Sequence, residues 1–408
     1  MKQIEGGVTA AKGFYAAGIR AGIKPAVEKK DMAMIVSECD AVCAGTFTLN
    51  KVKAAPVQWD RKITEEKETV RAIVVNSGVA NACTGQDGME NCRLTAEAAA
   101  KKLHIQTEEV LVASTGVIGA QLPMDVIIRG VDVLANSLSD TVQAADDAAN
   151  AILTTDTEKK EIAYELELDG TTVTIGGMCK GSGMIHPNMG TMLGFITTDV
   201  CISKELLVKA LKTDIEDTFN MVSVDGDTST NDTVLIMANG KAGNPCIAKE
   251  GEAFDRFCQA LHAVDEFLAK SIAGDGEGCT KLFEVQAKGA ATKKDAKLLS
   301  KSVVCSSLTK AAVFGKDANW GRILCAMGYS GAEFDPEKVD ITLKSSAGEL
   351  VIVKDGVATD YSEEFATEIL SQNPVIAVVD AKAGDYEATA WGCDLTYDYV
   401  TINADYRS

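Results

Sequence analysis

The stretch KGSGMIHPNMGTMLGFITTD, residues 180–199, decides how this chain is read. Up to Gly190 it consists of glycine and turn formers, and from Thr191 it reads as a buried apolar strand, which puts Thr191 at a loop-to-strand junction. A hydroxyl there is presented rather than packed. If Thr191 were a chain N-terminus, its own α-amine, titrating near about pH 8, would serve as base for its hydroxyl. Glycine at 190 leaves the preceding peptide bond unshielded and tolerant of strained dihedrals, so attack by the Thr191 hydroxyl would give pieces of 190 and 218 residues. By position alone, Thr191 also fits an ordinary β-branched residue opening a strand.

Immediately upstream, residues 162–168 and 171–175 alternate apolar and polar around Asp169-Gly170, the strongest hairpin signal in the chain. Further out, residues 31–37, 70–76 and 110–113 read as strands, and 89–102, 123–136 and 140–153 as helices. Repeated strand, turn and helix predicts a layered α/β fold. Downstream, helices are expected over 203–211, 214–223, 253–270 and 295–308. Strands are expected after the polar turn 224–232 and after Gly278, with alternating strands over 339–353 and 386–399. A structural division is placed near 281–294.

Apolar residues at 46% and charged ones at 24% match a soluble, core-forming chain. A formal charge of −19 argues against nucleic acid or an anionic membrane as partner and favours small molecules. The N-terminus has no apolar targeting segment and no later run is long enough to span a bilayer, so a cytoplasmic location is expected. The 12 cysteines are scattered without a CxxC, for example Cys43, Cys258 and Cys325, which suggests buried free thiols. His104, His186 and His262 lack metal-ligand spacing to one another or to a cysteine, so no metal is expected.

Several polar positions have both a chemical and a bland reading. Ser114-Thr115-Gly116 ends an apolar strand, and a hydroxyl beside a glycine amide suits an anion hole, although a polar turn has the same composition. Lys180, among glycines, a cysteine and methionines, suits a carboxylate ligand as well as a solvated surface position. VDGDTSTND (224–232) spaces Asp225, Asp227, Ser229 and Asn231 like a calcium loop. Counted from Asp225, however, its sixth position is Thr230 and its twelfth Ile236, so a polar turn into a strand is the better reading. GDGEG (274–278) lacks a phosphate loop's lysine and hydroxyl; Glu277 between two glycines suits a substrate ammonium or an exposed turn. The ending TINADYRS reads as a polar tail.

Taken together, GGVTAAKGF (6–14), NSGVANACTG (76–85), STGVIG (114–119), TTDT (154–157), KGSGMIHPNMGTML (180–193), VDGDTSTND, GDGEG and INADYRS (402–408) resemble the ornithine acetyltransferase family, ArgJ, over nearly the whole length. The resemblance implies a self-processing fold of mixed sheets covered by helices. Cleavage at Gly190-Thr191 would yield an α chain, 1–190, carrying the oxyanion hole, and a β chain, 191–408, beginning with the nucleophile, associated as α2β2. It further implies that Thr191 takes acetyl from N-acetylornithine and passes it to glutamate, with Thr115 and Gly116 as the oxyanion pair. Thr154, Lys180, Thr191, Glu277, Asn403 and Ser408 would contact substrate, and no cofactor is implied. Whether acetyl-CoA is a second donor is not written in any motif. Gly190 stands where the family often has alanine, Ala11 where proline is common and Val79 where asparagine is common. Two other readings stay open: a related self-processing aminopeptidase or amidohydrolase, in which water is the acceptor, and a non-catalytic amino-acid-binding protein.

Overall fold

In the computed structural model, which describes residues 1–24, 28–186 and 192–405, two mixed β-sheets are covered by helices. The nine-stranded sheet runs in the order Lys2–Ile4, Lys160–Leu168, Thr171–Lys180, Leu193–Thr198, Thr233–Ala238, Met32–Phe47, Thr69–Val79 and Val110–Val117, with Phe14–Ile19 also paired to Met32–Phe47. The seven-stranded sheet runs Val357–Ala358, Gly348–Lys354, Asp340–Ser345, Val375–Asp380, Leu282–Ala290, Tyr386–Cys393 and Val222–Ser223.

Period-two patterning explains the first sheet. Met32 and Met34 enter one buried cluster while Ala33 and Ile35 enter another, as do Val110 and Val112 against Leu111 and Ala113. Both faces are therefore covered, and these strands read as continuous apolar runs rather than alternating ones. The Asp169-Gly170 hairpin forms with both residues at positive φ (50° and 81°), the geometry that joins strands through a two-residue turn.

The helix Glu252–Gly274 sits between the sheets, against Lys160–Leu168 and Thr171–Lys180 on one side and Leu282–Ala290 and Tyr386–Cys393 on the other. Phe257, Leu261, Val264, Leu268 and Ile272 recur at three- and four-residue spacing, fully buried; each such side chain contributes about 1.5–3 kcal/mol. The helix ends at Gly274 and so delivers the GDGEG turn to the open end of the first sheet.

Four expectations change. The helix expected over 214–223 does not form: the helix Lys204–Ile215 stops where the Thr218 hydroxyl donates to the Asp214 carbonyl (2.9 Å), and a 3-10 turn, Phe219–Met221, leads into the strand Val222–Ser223. The strand expected over 386–399 ends at Cys393 and is followed by the helix Tyr397–Asp405, so the polar ending is helical through Asp405. The helix expected over 295–308 is two, Lys293–Cys305 and Ser307–Phe314, because Ser306 caps the second by accepting from the Thr309 amide. All 12 cysteines are unpaired, but Cys83, Cys246 and Cys325 are exposed rather than buried. Among the described residues, no helix is long and apolar enough to cross a membrane.

Candidate active site

Ser114-Thr115-Gly116 is not a turn after a strand but part of the strand itself. Val110–Val117 pairs in parallel with Thr69–Val79, Ser114 opposite Asn76, Thr115 opposite Ser77 and Gly116 opposite Gly78, and the register then shifts. Gly116 adopts φ +127°, and a Cβ there would overlap the backbone of Gly78, so only glycine permits this approach. Ser114 Oγ donates to Asn76 Oδ1 (2.6 Å), and Asn76 Nδ2 donates to the Val79 carbonyl (2.9 Å). From the far side, Asn231 Nδ2 donates to the carbonyls of Ala80 (2.6 Å) and Ser114 (2.8 Å). The backbone that presents Thr115 and Gly116 is thus fixed by a side chain more than a hundred residues away.

Lys180 ends the strand Thr171–Lys180 and is not solvated: it is 6% exposed, with Nζ 3.7 Å from Asp156 Oδ2. Asp156 also accepts from Lys160 Nζ (2.8 Å), from the Gly181 amide (2.7 Å) and from the Thr154 amide (3.1 Å). Lys160 Nζ in turn reaches Asp275 Oδ2 (2.5 Å), and Asp275 accepts from the amide and hydroxyl of Thr157. Burial alone would raise the Asp156 carboxyl; Lys180 and Lys160 with these hydrogen bonds hold it well below the ordinary carboxylate range. The network links the TTDT turn, Lys180 and the GDGEG turn.

Glu277 lies two residues beyond Asp275, in the turn that follows the helix. Its amide donates to the Ser182 carbonyl (3.0 Å), and the Ser182 hydroxyl donates to the Asp275 carbonyl (2.7 Å). Gly183 faces the Glu277 carboxyl so closely that a Cβ would overlap it. Asn403, on the last helix, donates Nδ2 to Glu277 Oε2 (2.8 Å). That helix is docked on the turn through the Thr396 hydroxyl, which donates to the Gly278 carbonyl (2.6 Å).

These parts surround one cavity of about 310 Å³, lined by Thr115, Gly116, Thr154, Thr155, Lys180, Gly183, Met192, Asp232, Glu277 and Asn403 among others. Six of the oxyanion and substrate-contact residues expected from the resemblance, Thr115, Gly116, Thr154, Lys180, Glu277 and Asn403, converge there. Gly190, Thr191 and Ser408 lie outside the described residues, while Met192 and Leu193, which follow Thr191, line the cavity. Asp156 and Asp232 were not singled out for a role, and Asn231 was considered only as a position of the calcium-like loop. Among the described residues the cavity wall carries one cation, Lys180, two acids, Glu277 and Asp232, and amide and hydroxyl groups, with no grouping of metal-ligating side chains, a lining that suits a zwitterionic small molecule. The calcium-like spacing of Asp225 serves the backbone instead: its carboxylate accepts from the amides of Met184 (2.6 Å), Ile185 (2.9 Å) and Asp227 (3.1 Å).

The sequence pattern that defines the ArgJ family matches residues 15–408. The chain belongs to the ArgJ family. Relatives resemble it along its full length: the arginine biosynthesis bifunctional protein ArgJ of Caldanaerobacter subterraneus subsp. tengcongensis is 50% identical over 100% of both chains. The glutamate N-acetyltransferase of Methanocaldococcus jannaschii is 49% identical, again over 100% of each. A crystal structure of the arginine biosynthesis bifunctional protein argJ of Bacillus halodurans matches with a TM-score of 0.51 and 48% identity, covering 100% of that solved chain and 53% of this one. The ArgJ pattern thus takes in the seven-stranded sheet, the nine-stranded sheet apart from Lys2–Ile4 and Phe14, and every described residue of the cavity.

Proposed function

We propose that this chain is a glutamate N-acetyltransferase of arginine biosynthesis that moves acetyl from N-acetylornithine to glutamate through an acyl-enzyme on Thr191. The observation that carries the reading is the convergence of Thr115, Gly116, Thr154, Lys180, Glu277 and Asn403 on one cavity whose wall includes Met192, bonded directly to Thr191. Lys180 receives the substrate α-carboxylate and Glu277, oriented by Asn403, receives the ornithine side-chain ammonium. Thr115 and Gly116 stabilise the tetrahedral oxyanion. The Thr191 amine takes the hydroxyl proton as Oγ bonds to the acetyl carbon, then gives it to the departing ornithine nitrogen as the C–N bond breaks. Glutamate attacks the ester in the second half-reaction and leaves with the acetyl group; Ser408 closes the substrate contacts.

This chemistry needs a free Thr191 amine, and so cleavage at Gly190-Thr191 into chains 1–190 and 191–408, held together as α2β2. In support, the solved Bacillus halodurans chain spans 53% of this one from end to end, the share a 218-residue piece of 408 would have. Twelve unpaired cysteines suit a reducing compartment, and the cytoplasm is the proposed location.

The test is to incubate purified protein with N-acetylornithine and glutamate and to read N-acetylglutamate, the acetylated Thr191 peptide by mass spectrometry, and the chains by electrophoresis. Expected are N-acetylglutamate, an acetyl adduct on Thr191 and two bands, with Thr191→Ala abolishing all three. Acetate in place of N-acetylglutamate would make the enzyme a hydrolase, and transfer by a single 43.1 kDa chain would remove self-cleavage. Glutamate acetylation from acetyl-CoA, with N-acetylornithine withheld, decides whether a second donor is used.

A further inference from the structure

Self-cleavage raises a proton problem that mature catalysis does not have. In the intact chain the Thr191 nitrogen is an amide, its lone pair delocalised into the Gly190 carbonyl, and it cannot serve as base for its own hydroxyl. It must also gain a proton before it can leave. The first cut therefore needs a proton carrier from elsewhere in the chain.

Asp232 is the carboxyl that the described residues bring beside Met192, the neighbour of Thr191 in sequence. It immediately precedes the strand Thr233–Ala238, whose parallel neighbour begins at Leu193, opposite Thr233. The Thr233 amide donates to the Met192 carbonyl (3.0 Å), so Asp232 lies beside the residue bonded to Thr191. Asp232 is 1% exposed, borders the cavity with Thr115 and Lys180, and its Oδ2 has no hydrogen-bond partner among the described residues. An unpartnered carboxyl oxygen at the wall of a polar cavity costs stability, and such costs are kept at functional sites.

The geometry points to Asp232 as the proton carrier for cleavage at Gly190-Thr191, an inference that rests on the self-cleavage reading above. In the first step Thr191 Oγ bonds to the Gly190 carbonyl carbon and its proton passes to one Asp232 oxygen. The proton already on the carboxyl passes from the other oxygen to the Thr191 nitrogen. The C–N bond breaks with its electron pair staying on nitrogen, giving an ester and a free amine, and Asp232 is neutral again. Water then hydrolyses the ester: its hydroxide goes to the Gly190 carbonyl carbon and its proton to Thr191 Oγ. Burial drives the Asp232 carboxyl well above the ordinary range, while the Thr48 and Ser229 hydroxyls, the Lys180 ammonium and the Met192 amide pull it back. Lys180 is the charged side chain bearing on it, and Glu277 borders the same cavity.

The test follows the 43.1 kDa precursor to its two pieces by electrophoresis across pH, for wild type, Asp232→Asn and Asp232→Glu. Asp232→Asn should slow cleavage roughly 10²-fold and flatten its pH profile, since an amide exchanges no proton at these pH values. Wild type and Asp232→Glu should cleave, more slowly as pH rises through the carboxyl's raised value. Removing a carboxyl that burial disfavours should leave the thermal midpoint of Asp232→Asn at or above wild type. Wild-type cleavage matched in rate and profile by Asp232→Asn would overturn the assignment while self-cleavage stands. A lowered thermal midpoint for Asp232→Asn without rescue by Asp232→Glu would reduce Asp232 to a packing role. A wild type that never divides would overturn the self-cleavage reading and this inference with it.

Discussion

Asp156 and Asp232 are equally buried, at 2% and 1% exposed, and both feel Lys180, yet their carboxyls are driven in opposite directions. Around Asp156 two ammonium groups and two backbone amides converge, and the anion is held. Around Asp232 one oxygen is left bare, and burial wins. What decides a buried acid's charge is the partner set rather than depth. The first aspartate acts as a clamp; the second is left able to exchange a proton.

The largest break in this comparison should come from the clamp. Asp156→Asn takes from Lys180 its carboxylate partner and leaves Lys160 with Asp275 alone, and should cost about 3–5 kcal/mol, read by urea unfolding at pH 7. Because the folded-state carboxyl is depressed, its contribution is present above the unfolded value of about 3.9 and is lost as pH falls through the folded one. The deficit of the variant should therefore shrink on acidification; an unchanged deficit at low pH would mean that packing, not charge, was lost. Gly116→Ala should come next, lowering kcat about 10²–10³-fold, the scale of a lost oxyanion donor, because the added methyl must displace Gly78. Asn231→Ala removes both the Ala80 and Ser114 bonds and should cost about 1–3 kcal/mol while lowering acetyl transfer, since it frees the backbone of Thr115; a stability loss with unchanged kcat would disconnect the two.

The smallest effect should have the opposite sign. Asp265, inside the helix Glu252–Gly274, is fully buried, with no donor to either carboxyl oxygen among the described residues, and burial, then the Asp214 carboxyl beside it, drives its own carboxyl up. A raised acid supports the fold below its unfolded value of about 3.9 and loses that support as pH rises through the folded one. Asp265→Asn should therefore stabilise the protein by about 1 kcal/mol at pH 7 and by nothing at pH 3, read as paired thermal scans. A destabilised variant at both pH values would show that Asp265 is satisfied in a way that Asp232 is not.

Local signals made part of the structure legible. Asp169-Gly170 and the apolar runs around residues 32–36 and 110–113 state their conformation in their own composition. The helix expected over 214–223 failed because Thr218 reaches back to Asp214, a local competition that apolar spacing does not register. The strand expected past Cys393 failed for a non-local reason: Asp394 accepts from the Thr280 amide (2.8 Å) and Thr396 binds Gly278, bonds across more than a hundred residues that turn the chain into a helix. In the site, Lys180 and Glu277 stood out by their neighbours, beside bland readings that the resemblance outweighed, and Asn403 came from the resemblance alone; all three touch the cavity. The residues that brace the site, Asp156 and Asp275 beside Lys180 and the Glu277 turn and Asn231 behind Thr115, sit in TTDT, GDGEG and VDGDTSTND. In sequence they are indistinguishable from ordinary turn formers, because what sets them apart is burial beside a charge or a strand end.

The order of the nine-stranded sheet has a consequence for how such an enzyme is made. Leu193–Thr198 and Thr233–Ala238 come from beyond position 190, yet they lie between Thr171–Lys180 and Met32–Phe47, both from before it. Under the proposed cut, the first piece alone would hold two half-sheets with a two-strand gap, and the second would expose both ladders of its inserted strands. Neither is a plausible folding unit for separate synthesis, whereas a single precursor fills the gap while the chain is still continuous. If the proposed cut is made, translating the two pieces as one polypeptide and dividing it afterwards becomes a folding requirement, and the link at 190–191 would serve as a temporary chaperone for the sheet that it joins.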